Sequence, residues 1–288
     1  MRNAKFLIAG LALEVSAAPG SGGFEIPVPY RPFLVNDTKA DFLLNSHSDG
    51  IPAWEGELVF DSRGPWKLWR SREKYLISLH NLAQGKDPYQ IAFLDEKFSR
   101  GETFFKPEIE NSLPRFFPFS YPLDEVIVVN RLALGQGLEV HACGIDDNGG
   151  GILFLGASGA GKSTMSRFWE TEDGAAVLSD DRIIVTRQDG GFFIHGTPWH
   201  GEAGLAAAAG APLKSVFFLK HAAANSHGRL GPGQIAARIM ATCFPTFWNQ
   251  AGMQFSAGLA AEIALAVPGY ELGFAPGPAV VEYVRKIP

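Results

Sequence analysis

Residues 156–164 read Gly-Ala-Ser-Gly-Ala-Gly-Lys-Ser-Thr, which satisfies the phosphate-loop spacing of a glycine, four residues, then Gly-Lys-Ser. Each fixed position has a chemical reason. Gly156, Gly159 and Gly161 let the backbone turn tightly and aim N–H groups at phosphate oxygens, with Ala157, Ser158, Ala160 and Thr164 completing the loop. Lys162 has the reach for β- and γ-phosphates, and Ser163 offers a hydroxyl to Mg2+. Upstream, Gly151–Leu155 is a short apolar run that suits a buried strand. Downstream, Thr164–Glu170 carries apolar residues at helical spacing. A strand, a glycine loop and a helix start together form an anion site, because the first N–H groups of a helix have no partner within it. The ligand expected is ATP with Mg2+.

The second chemical feature is Ser179-Asp180-Asp181, at the end of the apolar run that starts at Ala175. Adjacent carboxylates are costly there unless a cation shares the site. After a phosphate loop, one can hold Mg2+ while the other accepts a proton from an attacking hydroxyl. A third stretch, Gly196-Thr197-Pro198-Trp199-His200-Gly201-Glu202, is rich in Gly and Pro. It reads either as a mobile cover for a phosphate site, with His200 and Glu202 as phosphate, acceptor or metal contacts, or as a connecting loop. Arg182, next to the acidic pair, is a candidate partner for a carboxylate or the nucleotide.

The elements that must position these groups are legible in outline. Residues 1–121 are expected to form a smaller β-rich domain, from short apolar stretches such as Glu57–Phe60, Trp66–Arg70 and Tyr75–Leu79 separated by turn residues. The run Phe6–Leu13 follows Arg2 and Lys5 and is superficially like a secretory signal, but Glu14 and a first β-strand explain it better. The aromatic stretch Phe116–Tyr121 reads as packing at a domain junction. Residues 122–288 alternate in the α/β manner. A helix is expected over Leu123–Leu134, strands flank the Asp146–Gly150 hairpin turn, and further strands run over 175–179, 182–187, 192–195, 215–219 and 270–274. Helices are expected over 232–247, 253–266 and 276–285.

The chain of 288 residues is 46% hydrophobic and 19% charged, with a formal net charge of −5 and two cysteines. Without a dense basic run, no nucleic-acid partner is indicated. Cys143 and Cys243 suit neither a disulfide framework nor a zinc site, and no stretch is long and apolar enough to span a bilayer. A soluble, cytoplasmic protein is expected.

The motif order resembles the catalytic domain of the HPr kinase/phosphorylase family, a P-loop fold related to phosphoenolpyruvate carboxykinase. In that pattern a strand His precedes the loop and a strand ending in two Asp follows its helix. Here these are His141, which lies 15 residues before Gly156, then Gly156, Ser158, Gly159, Gly161, Lys162 and Ser163, then Asp180 and Asp181. The resemblance implies that His141 approaches the transferred phosphate, that Asp180 is the general base, and that Asp181 helps to hold the metal. It also implies a homo-oligomer. Thr164 stands where the HPr-modifying enzymes carry Glu, and 196–202 replaces their later arginine-and-glycine segment, so the HPr substrate and phosphorolysis do not carry over.

The chain is more similar to HPr kinase-related proteins found near modified-peptide gene clusters, through Pro122–Glu125, Ser179–Arg182 and Gly196–Glu202. Some of these phosphorylate a peptide serine. The function implied is an ATP-dependent kinase acting on a peptide, protein or small hydroxyl-bearing substrate. Alternatives are a nucleotide-binding sensor without catalysis, and a small-molecule kinase or carboxykinase-like enzyme. Lys162→Ala should weaken binding of a fluorescent ATP analogue and abolish transfer, and undiminished turnover would remove the loop from the mechanism.

Overall fold

Apolar side chains at every second position turn the first part of the chain into a sheet with one buried face. The computed structural model describes residues 1–81, 87–106 and 117–288, and they divide into two units, Met1–Arg131 and Leu132–Pro288. The first unit holds β1 (Asn3–Ile8), β2 (Leu11–Ala17), β3 (Phe42–His47), β4 (Glu57–Asp61), β5 (Trp66–Ser71), β6 (Lys74–Leu79), β7 (Gln90–Asp95) and β8 (Arg100–Phe105). They form one sheet in the order β1-β2-β3-β8-β7-β6-β5-β4.

The apolar run expected as a single first strand is a hairpin, β1 and β2. Ala9 and Gly10 take positive φ values of 49° and 82°, the turn geometry whose twist matches paired strands. An Ala at the first turn position hides it from sequence reading. Phe117 packs edge-on to Phe6 and Tyr30, and Phe119 stacks on Phe42, so these aromatics fill the interior of the first unit. Phe116 lies outside the described residues. The helix α1 (Leu123–Leu132) is tied to the same unit by the Tyr30 hydroxyl, which donates to the buried Asp124 carboxylate. The division into units falls after Arg131, whereas the sequence pattern puts a boundary after residue 121.

The second unit contains β9 (Gly137–Asp147), β10 (Gly150–Leu155), α2 (Lys162–Glu170), β11 (Ala175–Ser179), β12 (Arg182–Gln188), β13 (Gly191–His195), β14 (Gly210–His221), β15 (Ser226–Arg229), α3 (Pro232–Thr242), α4 (Gln250–Ala266), β16 (Gly269–Phe274) and α5 (Ala279–Arg285). The strand order is β10-β9-β12-β13-β14-β16-β15; β11 also pairs with β9, and β10 runs parallel to β14. The result is a mixed α/β architecture dominated by strands.

Side-chain alternation feeds two cores. Leu153, Leu155, Val216 and Phe218 face Ile235 and Ile239 of α3 and Leu259 and Ile263 of α4. Ile152, Phe154, Phe217 and Leu272 face Met165 and Trp169 of α2 and Val280, Val281 and Val284 of α5. Trp169 is fully buried against Phe154, and truncating such a ring costs about 3–5 kcal/mol. It anchors the helix that follows the phosphate loop.

Several helix boundaries differ from expectation, the first being α1, which ends at Leu132 instead of Leu134. α3 stops at Thr242 because Cys243 bridges to Val140 of β9 and Pro245 follows. α4 starts at Gln250, where the Asn249 side chain caps it by accepting from the Gly252 N–H. α5 starts only at Ala279, after Pro278. Among the described residues no helix is long and apolar enough to cross a membrane.

Burial pushes the His195 imidazole from 6.5 down to about 4, while its ring shares a 2.8 Å hydrogen bond with the Thr186 hydroxyl. An unfolded chain protonates this group near 6.5 and the folded one resists until about 4. In that window the unfolded state binds more protons, so stability falls as pH is lowered. His195→Gln should flatten the decline of the melting midpoint across this window, and an unchanged slope would assign the decline to other groups.

Candidate nucleotide and phosphoryl-transfer site

The register of three neighbouring strands gathers the site. Leu155 at the end of β10 pairs with Ala142 of β9, and His141 of β9 pairs with Arg182 at the start of β12. The Ala142 N–H also donates to the Asp181 carbonyl at 3.1 Å. The phosphate loop, His141 and the acidic pair thus occupy one row, about 10 Å across two strand spacings.

The loop itself is shaped by glycine. Gly159 and Gly161 have φ of 79° and 102°, the left-handed region that costs other residues about 1–2 kcal/mol. At Gly161 a β-carbon would also lie 2.5 Å from the Phe274 ring. Gly161 caps α2 without a side chain, leaving the first-turn N–H groups of the helix facing outward for an anion. Ala157, Ser158 and Gly159 are exposed, while Gly156, Ala160, Ser163 and Thr164 are half-buried. The Lys162 ammonium donates to the carbonyls of Gly156 (2.8 Å) and Ala157 (3.2 Å) and is thereby held over the loop. Burial pulls its pKa below the ordinary lysine value against the opposing charge of Asp181. An anionic ligand would relieve that desolvation by supplying a counter-charge. A contact that sequence reasoning missed is His221, at the end of β14, whose Nε2 lies 2.7 Å from the Gly159 carbonyl. Its only sequence signal is a His closing a buried apolar strand.

The two aspartates have different surroundings. Asp180 is 1% exposed. Its Oδ1 accepts the Gly201 N–H and its Oδ2 the Ala203 N–H, both at 2.9 Å. A carboxylate accepting from two main-chain donors ties down the 201–203 turn, whereas the resemblance makes it the general base. Asp181 is the more exposed of the two. Its Oδ1 is 2.8 Å from His141 Nε2, with both side chains a little over one quarter exposed, and its Oδ2 accepts from Arg182 Nη1. Burial alone would raise the Asp181 pKa, but the His141 hydrogen bond and the charges of Arg182, His141 and Lys162 hold it below the usual carboxylate value. The Ser179 hydroxyl makes the sharp turn between the two, accepting from the N–H groups of Asp181 and Arg182 at 3.2 Å each.

Residues 196–202 form a pinned connector. Thr197, Pro198 and Trp199 are buried. Thr197 Oγ1 donates to the Arg182 carbonyl (2.8 Å) and Ser179 Oγ to the Trp199 carbonyl (3.0 Å). A β-carbon on Gly201 would stand 2.8 Å from Asp180 Oδ2, so glycine there permits the Asp180 tie. His200 and Glu202 are exposed on either side of it, and His200 Nδ1 lies 3.0 Å from the Gly201 carbonyl. Arg182 is occupied by Asp181, by Glu139 at 3.5 Å and by the Phe244 ring, rather than extended toward an acceptor.

The donor set suits a magnesium nucleotide. Ser163 and Asp181 are hard oxygen donors beside a phosphate loop, and Mg2+ in such sites takes one or two protein ligands together with phosphate oxygens and water. Among the described residues no three His, Cys, Asp or Glu side chains gather into a metal cage.

Residues 123–265, which include every residue of this site, match the family described as SynChlorMet cassette protein ScmC. A solved structure, the Hpr(Ser) kinase/phosphatase from Coxiella burnetii, is similar over 51% of this chain and 88% of its own length, at 15% identity and a TM-score of 0.30. That likeness is too distant to establish a shared architecture. No curated protein matches the sequence.

Asp180→Asn replaces one acceptor by an amide donor facing a main-chain N–H, at a cost of about 1–3 kcal/mol. It should lower the urea midpoint together with activity. Lost activity at parental stability would return Asp180 to the chemistry.

Proposed function

We propose that the second unit is an ATP-dependent, Mg2+-requiring phosphotransferase that delivers the γ-phosphoryl group to a hydroxyl, with serine of a peptide or protein as the acceptor class. The observation that carries this reading is the His141–Asp181 pair, set in one strand row with the phosphate loop. A loop alone would suit any nucleotide binder. An imidazole oriented by a carboxylate adds a base for activating a hydroxyl.

Phosphoryl transfer demands chiefly positioning and charge neutralisation. The loop amides and the start of α2 bind the phosphates, and Lys162 neutralises charge that builds on the transferring oxygens. Ser163 and Asp181 would hold Mg2+, which would supply further neutralisation. With Asp181 ionised, His141 keeps its hydrogen on Nε2 and presents Nδ1 as an acceptor. Nδ1 takes the hydroxyl proton as the acceptor oxygen bonds to phosphorus and the bond to the departing diphosphate breaks. The products are a phosphate ester, ADP and a proton that His141 passes to solvent. The Ser179–Arg182 and Gly196–Glu202 segments that resemble the peptide-modifying relatives favour a peptide acceptor, and His200 and Glu202 are the exposed groups on the pinned connector.

Incubation of the full chain with isotope-labelled ATP, Mg2+ and serine-bearing peptides, alongside free amino acids and sugars, tests this directly. A mass gain of one phosphate on a peptide is expected. His141→Ala should lower kcat by about 100-fold or more, the usual contribution of a positioned base, with ATP binding retained; Asp181→Asn should lower kcat as well and also weaken Mg2+-dependent ATP binding. ATP binding with no acceptor-dependent consumption would make the protein a nucleotide sensor instead.

A further inference from the structure

Arg182 is gripped from three directions. Its Nη1 donates to Asp181, and its Nε lies 3.5 Å from Oε1 of Glu139, a residue only 1% exposed. The guanidinium carbon stands 4.3 Å from the centre of the Phe244 ring. The backbone places that ring. The Phe244 N–H donates to the Glu139 carbonyl at 3.0 Å, and Cys243 bridges to Val140. One stretch of β9 therefore supplies the buried anion, the docking point for the aromatic ring and, at His141, the imidazole itself.

A guanidinium held this way has its donors fixed in direction by its planar fork. Withdrawing it toward a substrate would pull a cation away from the buried Glu139 carboxylate, which is unfavourable. The geometry points to Arg182 as a positioning residue, which locks the Asp181 carboxylate against His141, with Glu139 and Phe244 as the clamp that holds Arg182. This inference rests on the phosphotransferase reading of the same site and replaces the expectation that Arg182 contacts phosphate or acceptor.

The test reads the His141 tautomer directly. In the full chain labelled with nitrogen-15 histidine, the two-bond proton–nitrogen spectrum of the neutral imidazole should show one tautomer with its hydrogen on Nε2; His141→Gln assigns the signal. Arg182→Lys keeps the charge but loses the fork and the stacking, and Glu139→Gln removes the buried anion. Each should convert His141 to a mixture of tautomers, while Phe244→Tyr should restore the single tautomer that Phe244→Leu loses. Affinity for a methylanthraniloyl-ATP probe should stay within about twofold throughout.

An unchanged tautomer in both Arg182→Lys and Glu139→Gln would overturn the clamp. So would a tenfold loss of probe affinity in Arg182→Lys, which would make the arginine a nucleotide contact. Lys162→Ala with undiminished probe binding would instead remove the phosphate-loop reading and leave the tautomer result standing on its own.

Discussion

The register of β9 against β10 and β12 is the constraint on which the site depends. Its eleven residues pair with β12 along the first half and with β10 along the second. Even-numbered Leu138, Val140 and Ala142 enter the core shared with α3 and α4, while Cys143 and Ile145 enter the core under α2. His141 shares the α2-side face by alternation. A slip of one residue would exchange the faces and drive the imidazole into an apolar core, so hydrophobic packing on both sides fixes where the chemistry sits.

Charge in this row is balanced locally. Lys162 and Arg182 face Asp181 and Glu139, and the ionised state of Asp181 follows from its cationic neighbours overcoming burial. Cys143 lies beneath the loop, where burial and the charge of Asp180 push its thiol well above the ordinary range. It therefore acts as a small apolar side chain and not as a nucleophile. Asp180 joins the end of β11 to the turn at 201–203, and through that turn the connector is fastened to the rest of the site.

The phosphate loop was legible because its chemistry requires glycines, a lysine and a hydroxyl at fixed spacing, all within nine consecutive residues. The flanking strand and helix followed from periodicity, and so did most strands of the second unit. What stayed hidden depends on contacts distant in sequence. The two aspartates are adjacent in the chain, yet only the fold reveals that Gly201 and Ala203 hold one while His141 and Arg182 hold the other. Glu139 and Phe244 lie more than one hundred residues apart and carry no motif, and the bridge between 243 and 140 that joins them also ended α3 early. The hairpin at Ala9–Gly10 was missed for a local reason, an alanine in a conformation usually left to glycine or asparagine.

The account turns on a triphosphate lying against the main-chain amides of the loop, with the His141–Asp181 pair beside it. Amide hydrogen exchange of the full chain, compared with and without Mg–ATP, tests this placement most directly. Slowed exchange confined to residues 156–164, the 140–142 stretch and the 180–182 turn is the predicted result. Protection elsewhere with this row unchanged would contradict it.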